Sequence, residues 1–117
     1  MKIHLFDNDP QPEVYSAGQS VFCAGDKGDC MFAVTKGAVD IVIAGKTVET
    51  VEGGGIFGEM ALVEDKPRVA SALVKSDTRL VRIDRRRFTF LVQQTPFFAL
   101  QVMAIMAERL RRMDEKL

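Results

Sequence analysis

Gly53-Gly54-Gly55-Ile56-Phe57-Gly58-Glu59-Met60-Ala61-Leu62-Val63-Glu64-Asp65-Lys66-Pro67-Arg68-Val69-Ala70-Ser71 is the stretch on which the reading of this chain turns. Its glycines allow backbone conformations closed to other residues, and Glu59 to Leu62 directly after them reads as one turn of helix. A loop that runs into a helix start offers amides without internal partners at the positive end of the helix dipole, and so attracts an anion. Glu59 is itself negative, and a carboxylate beside an anion site is costly unless it accepts from ligand hydroxyls or pairs with a cation. Arg68 supplies a cation whose guanidinium can hold two phosphate oxygens at once. A ligand carrying a phosphate and a vicinal hydroxyl satisfies all three features. Composition alone leaves a second reading open, a Glu59–Arg68 salt bridge across a loop whose glycines only make turns.

On either side of this loop the chain reads as short strands broken by Gly and Asp, from about Val14 to Ile83. Val39, Ile41 and Ile43 alternate with Asp40 and Val42, and Ala44-Gly45-Lys46 turns them back into residues 47–51, which predicts a hairpin. Residues 20–24, 31–35, 70–75 and 79–83 share the β-branched content, with turns at 25–29 and at Ser76-Asp77. Many short strands at near-regular spacing suggest a sandwich or barrel.

Asp84 is a plausible helix N-cap, and Phe88, Leu91 and Val92 after it lie on one helical face. Pro96 interrupts, and Thr95-Pro96 can open a second helix running to the C-terminus. That helix carries two apolar stripes. Met103, Met106, Leu110, Met113 and Leu117 are spaced three, four, three, four, while Phe98, Val102 and Ile105 form the neighbouring stripe. One is expected to face the strands. The plainest reading of the methionine stripe is also core packing, with a partner or a ligand as the alternatives.

A length of 117 residues suits one domain: a lead over 1–13, strands with the loop over 14–83, and helices over 84–117. Sixteen basic and sixteen acidic residues cancel, so no overall field favours nucleic acid or an anionic membrane. Any anion must be caught locally. Cys23 and Cys30 lack CxxC spacing, which reads as a reducing, cytoplasmic setting with ordinary thiols. His4 is the only histidine, which argues against a metal-dependent enzyme. No basic stripe or helix-turn-helix follows the last helix, which argues against a complete transcription factor. No segment has membrane-spanning length, so no direct membrane contact is expected.

Phe57 to Ser71 resembles the phosphate-binding cassette of cyclic-nucleotide-binding domains, the pattern F-G-E-[LM]-A-L, a short spacer, then P-R-x-A-[ST]. Upstream, Ala17-Gly18-Gln19-Ser20-Val21-Phe22, residues 25–32 and Lys36-Gly37-Ala38-Val39 resemble the same family's first strands and turns, in order. Kinase regulatory subunits, catabolite activator proteins and cyclic-nucleotide-gated channels carry such domains. The resemblance covers about Tyr15 to Leu91. It implies a mainly β fold with flanking helices: a jelly-roll-like β-roll of about eight short strands, a short cassette helix and two C-terminal helices.

The resemblance also implies roles. Glu59 matches the glutamate that accepts from the ribose 2′-OH, and Arg68 the arginine that pairs with the cyclic phosphate. Gly58, Met60 and Ala61 match positions that line the sugar-phosphate, and Val69 the position after the arginine, where an apolar residue leans towards cAMP over cGMP. In this family a side chain of the last helix commonly covers the base; Met103, Met106, Arg109 and Leu110 are candidates among which the sequence does not choose. The N-terminal helical element of relatives is expected to be short or absent. The function implied is a non-enzymatic sensor module that transmits cyclic-nucleotide binding through its C-terminal helices. The alternative is a ligand-independent interaction module, with a homodimer or partner helix on the last helix.

Overall fold

The alternation at Val39, Ile41 and Ile43 does form a strand, and the hairpin after it is as expected. A computed structural model describes residues 1–115 and contains β1 (Glu13–Tyr15), β2 (Ser20–Phe22), β3 (Cys30–Lys36), β4 (Ala38–Ile43), β5 (Lys46–Glu52) and β6 (Ile56–Phe57). Then come α1 (Met60–Val63), β7 (Ser71–Val74), β8 (Thr78–Asp84), α2 (Arg85–Gln94) and α3 (Phe97–Glu115). The strands make two four-stranded antiparallel sheets, in the orders β1-β8-β3-β6 and β2-β7-β4-β5. This is the mainly β, jelly-roll-like roll with a short cassette helix and two C-terminal helices. β6 lies inside the stretch that reads as loop: two residues are too few to show a period, and pairing of Phe57 with Phe32 and Ile56 with Ala33 makes the strand.

β3 shows how the roll is filled. Cys30, Phe32 and Val34 point between the sheets and join Val39, Val51, Phe57, Ala72 and Leu80. Met31 and Ala33 point the other way, onto Val81, Ile83 and the helices. The two-residue period therefore feeds two cores from one strand buried on both faces.

Asp84 caps α2 by accepting from the Arg87 amide at 2.8 Å, and α2 stops at Thr95, as the proline dictates. Phe98 N–H bonds the Thr95 carbonyl at 2.9 Å, and the two helix axes turn by 118°. No single helix among the described residues is long and apolar enough to cross a membrane. Phe98, Val102 and Ile105 are the buried stripe of α3, while Met103, Leu110 and Met113 are each about 60% exposed. Core packing therefore fails for the methionine stripe, except at half-buried Met106. The reason is angular: Met103 follows buried Val102 and sits about 100° further round the helix. Leu117, the last member of the stripe, lies outside the described residues.

Residues 1–12 hold a turn over 5–8 and no helix. This lead is nevertheless part of the core. Ile3 and Phe6 are each 3% exposed, Ile3 N–H bonds the Gly54 carbonyl at 2.7 Å, and Phe6 meets Phe98 edge-on at 5.7 Å. Arg87 reaches back to Asp9 at 2.8 Å.

Candidate functional site

β6 delivers the chain to Gly58, whose φ of +77° ends the strand and would strain any other residue. Glu59 follows in helical conformation and starts α1, whose first internal bond runs from Ala61 N–H to Gly58 O at 3.3 Å. The far end of the segment is tied to the turn at 25–29. Arg68 N–H bonds Asp26 O and Gly25 N–H bonds Arg68 O, both at 2.8 Å. Asp26 in turn accepts from Cys23 N–H at 2.9 Å, and Ser71 Oγ accepts from Ala24 N–H at 2.9 Å. This lattice aims the Arg68 side chain inward.

Its guanidinium lies over the Phe22 ring, 4.0 Å from the centroid. Nη1 donates to Gly58 O at 2.9 Å and Nη2 to Cys30 O at 2.7 Å. No carboxylate among the described residues pairs with it, whereas Arg82, Arg87, Arg109 and Arg112 all have one. Nε–H is buried with no acceptor among the described residues. Two carbonyl dipoles offset a full charge only in part, so the site holds an uncompensated cation. Space for it depends on two glycines: a Cβ on Gly28 would stand 2.7 Å from Arg68 Nε, and one on Gly58 2.8 Å from Nη1.

Glu59 and Arg68 do not touch, which overturns the salt-bridge reading of the loop. Glu59 is 8% exposed, and its Oε1 accepts from Arg109 Nη1 on α3. Arg109 Nη2 donates to the Ile56 carbonyl, and Nε bonds the Glu49 carboxylate on β5 at 2.8 and 3.1 Å. Glu59 Oε2 has no hydrogen-bond partner among the described residues and is not sealed off from solvent. It stands ready to accept. Ala61 is buried, while the Met60 and Val69 side chains are exposed, Val69 at 74%.

Other charges around the roll are structural. Arg82 binds both oxygens of Glu13, at 2.7 and 3.2 Å, which lowers the Glu13 pKa and raises that of Arg82. Burial pushes the Cys30 thiol up, against the pull of Arg82 and Arg68. A surface concavity of about 600 Å³ on α2, lined by Arg85, Arg86, Thr89, Phe90 and Gln93, shares no lining residue with the cassette.

Thus Gly58 and Arg68 lie together, Ala61 lies against Gly28 beside them, and Glu59 faces α3. Sequence reading missed Gly28, taken as a turn residue only, along with Phe22 and Glu49. Arg109 figured only as one of four candidates for covering a base. Glu49 carries no local signal, since it meets Arg109 across 60 residues.

The chain also has relatives among known proteins. The chain is similar to the Cyclic AMP receptor protein of Thermus thermophilus, 32% identical over 92% of this chain and 52% of the relative. It is 36% identical to a cAMP-dependent protein kinase regulatory subunit of Eremothecium gossypii, over 72% of this chain and 18% of that protein. It is 37% identical to human Rap guanine nucleotide exchange factor 3 over 66% of this chain and 9% of that protein. The chain thus spans about half the length of the bacterial receptor and far less of the other two.

Among solved structures, the Thermus thermophilus catabolite activator protein superposes with a TM-score of 0.78 at 32% identity, over 91% of this chain and 52% of that one. The EAL enzyme Bd1971 in a half-site-occupied form gives 0.68 at 30% identity, over 89% of this chain and 97% of the solved one. Residues 12–95 match the family model described as Cyclic nucleotide-binding domain, and the chain belongs to that family.

Proposed function

We propose that the chain is a sensor module in which Arg68 holds the ring phosphate of a 3′,5′-cyclic nucleotide and Glu59 Oε2 accepts from the ribose 2′-OH. The observation that carries this reading is the half-buried Arg68 guanidinium, which has no carboxylate partner among the described residues and a buried, orphaned Nε–H. Gly58, Met60 and Ala61 supply backbone at the sugar-phosphate, and the exposed Val69 marks the base side of the cassette. Apolar Val69, together with relatives named for cAMP, favours cAMP over cGMP. Binding is the output-controlling event, with no catalysis, and residues 1–117 act as one unit in a cytoplasmic setting. Arg109 ties the ribose carboxylate to α3, so it is the route by which binding moves the C-terminal helices.

Calorimetric titration with cAMP and cGMP tests this. Micromolar affinity for cAMP is expected, about −8 kcal/mol, with weaker binding of cGMP and losses of roughly tenfold or more in Arg68→Ala and Glu59→Ala. Wild-type protein that gives no heat with either nucleotide refutes it.

A second reading rests on the exposed seam of α3. Met103, Leu110 and Met113 face solvent on one side at heptad-like spacing, which suits self-association through α3. Sedimentation equilibrium of wild type and Leu110→Glu separates the two readings. A dimer lost in the variant supports the seam, and dimerisation that survives Arg68→Ala without bound nucleotide favours a ligand-independent interaction module.

A further inference from the structure

Arg109 is held on three sides: Nε on Glu49, Nη1 on Glu59 and Nη2 on the Ile56 carbonyl. Glu49 comes from β5, in the sheet opposite β6. Its side chain is 17% exposed, and it also takes Arg112 Nη2 at 3.0 Å. Glu49 therefore fixes two of the three arginines in the second half of α3, Arg109 and Arg112.

An arginine free to turn prefers a two-pronged fork with a carboxylate, using both of its oxygens. Here that fork would consume Glu59 Oε2. Arg109 makes a single contact with Glu59 because its Nε is committed to Glu49 and its Nη2 to the Ile56 carbonyl, so turning to close a fork would break the Glu49 contact, and Oε2 stays open. We infer that Glu49 is a positioning residue for ribose recognition: by holding the Nε edge of Arg109, it restricts that guanidinium to Glu59 Oε1 and reserves Oε2 for the ligand hydroxyl. The inference rests on the reading of Glu59 as the ribose acceptor.

Removing the Glu49 charge frees Arg109 to close its fork on Glu59, and the 2′-OH loses its acceptor. The isosteric variant Glu49→Gln should bind cAMP about tenfold more weakly, the loss of one hydrogen bond to a charged group. Binding of 2′-deoxy-cAMP, which has no hydroxyl to lose, should be unchanged. A merely structural role would weaken both ligands alike. In an Arg109→Gln background the Glu49→Gln change should leave the ratio of the two affinities where it was, because no guanidinium remains to turn.

Both ligands are titrated by calorimetry against wild type, the two single variants and the double variant, with thermal melts confirming that each is folded. If wild type prefers cAMP over the deoxy analogue and Glu49→Gln weakens both equally or neither, the positioning role is overturned while the ribose assignment stands. If wild type does not distinguish the two ligands, the ribose assignment falls and this inference falls with it.

Discussion

Gly28→Ala should separate binding from stability. A Cβ at Gly28 would stand 2.7 Å from Arg68 Nε, 3.0 Å from Cζ and 2.9 Å from the Ala61 Cβ. Carbon contacts settle at ~3.5 Å or beyond, so the guanidinium must retreat by ~0.8 Å. The bonds to Gly58 O and Cys30 O start at 2.9 and 2.7 Å, and such a shift takes them to the limit of hydrogen bonding. The Ala61 Cβ cannot swing as a side chain does, so α1 is pushed as well, and both ends of the cassette lose register. A bidentate phosphate contact misplaced by this much should cost about 1.5–3 kcal/mol of binding, roughly ten- to a hundredfold in Kd.

Stability should behave otherwise. Gly28 does not have a left-handed φ, so alanine there suffers no backbone strain and gains about 0.4–1 kcal/mol from a stiffer unfolded chain. That gain offsets part of the cost of displacing the arginine and α1, so any net loss of stability should be smaller than the loss of binding. Gly18→Ala is the mirror case, with φ +91° and open space around it. It should lose about 1–2 kcal/mol of stability and keep its affinity. Calorimetry with cAMP and urea unfolding measure the two quantities. Gly28→Ala binding cAMP within about threefold of wild type would show that Arg68 does not need its observed position.

Two further perturbations probe the frame around the site. Phe98 is fully buried between Phe6 and Phe88, with centroids 5.7 and 5.5 Å away, so Phe98→Ala should lower urea-unfolding stability by about 3–5 kcal/mol and release the N-terminal lead to proteolysis. Glu13 has its pKa lowered from 4.5 chiefly by its bond to Arg82, so its contribution is complete above about pH 4.5 and lost as pH falls through the lower, folded value. The pair is partly exposed and screened, so Glu13→Gln should cost only about 0.5 kcal/mol at neutral pH, and its urea midpoint should converge with that of wild type as pH falls below the lowered pKa.

The parts of this fold legible in the sequence are those fixed within a few residues. Alternation makes β4, Ala44-Gly45 turns it, Asp84 caps α2 and Pro96 breaks the helices, each through a local backbone or hydrogen-bond effect. Choices between equivalent local patterns were not legible. Two stripes on α3 have helical spacing, and packing against Met31, Val81 and Ile83 selects the one with Phe98. Ile3 and Phe6 show no period, and only the finished outer face of the first sheet gives them a place. In the site, the cassette pattern names Glu59 and Arg68, but their partners come from β3, β5 and α3, which meet only when the roll closes.

Those distant partners decide what the pair can do. Two opposite charges nine residues apart would neutralise one another if they met, and nothing would remain to attract an anion. The roll keeps them apart by giving Glu59 a different arginine and Arg68 only backbone carbonyls. In the network on α3, Arg109 and Arg112 stand against Glu49 and Glu59, two positive charges to two negative, while Arg68 is left with no carboxylate partner among the described residues. A ring phosphate diester carries one negative charge. On the proposed reading the ligand therefore neutralises the site without leaving either partner in excess, and the zero net charge of the whole chain conceals that local imbalance. On that reading, selectivity for a small anion arises from which charges the fold keeps from pairing, a property of topology that a count of residues does not contain.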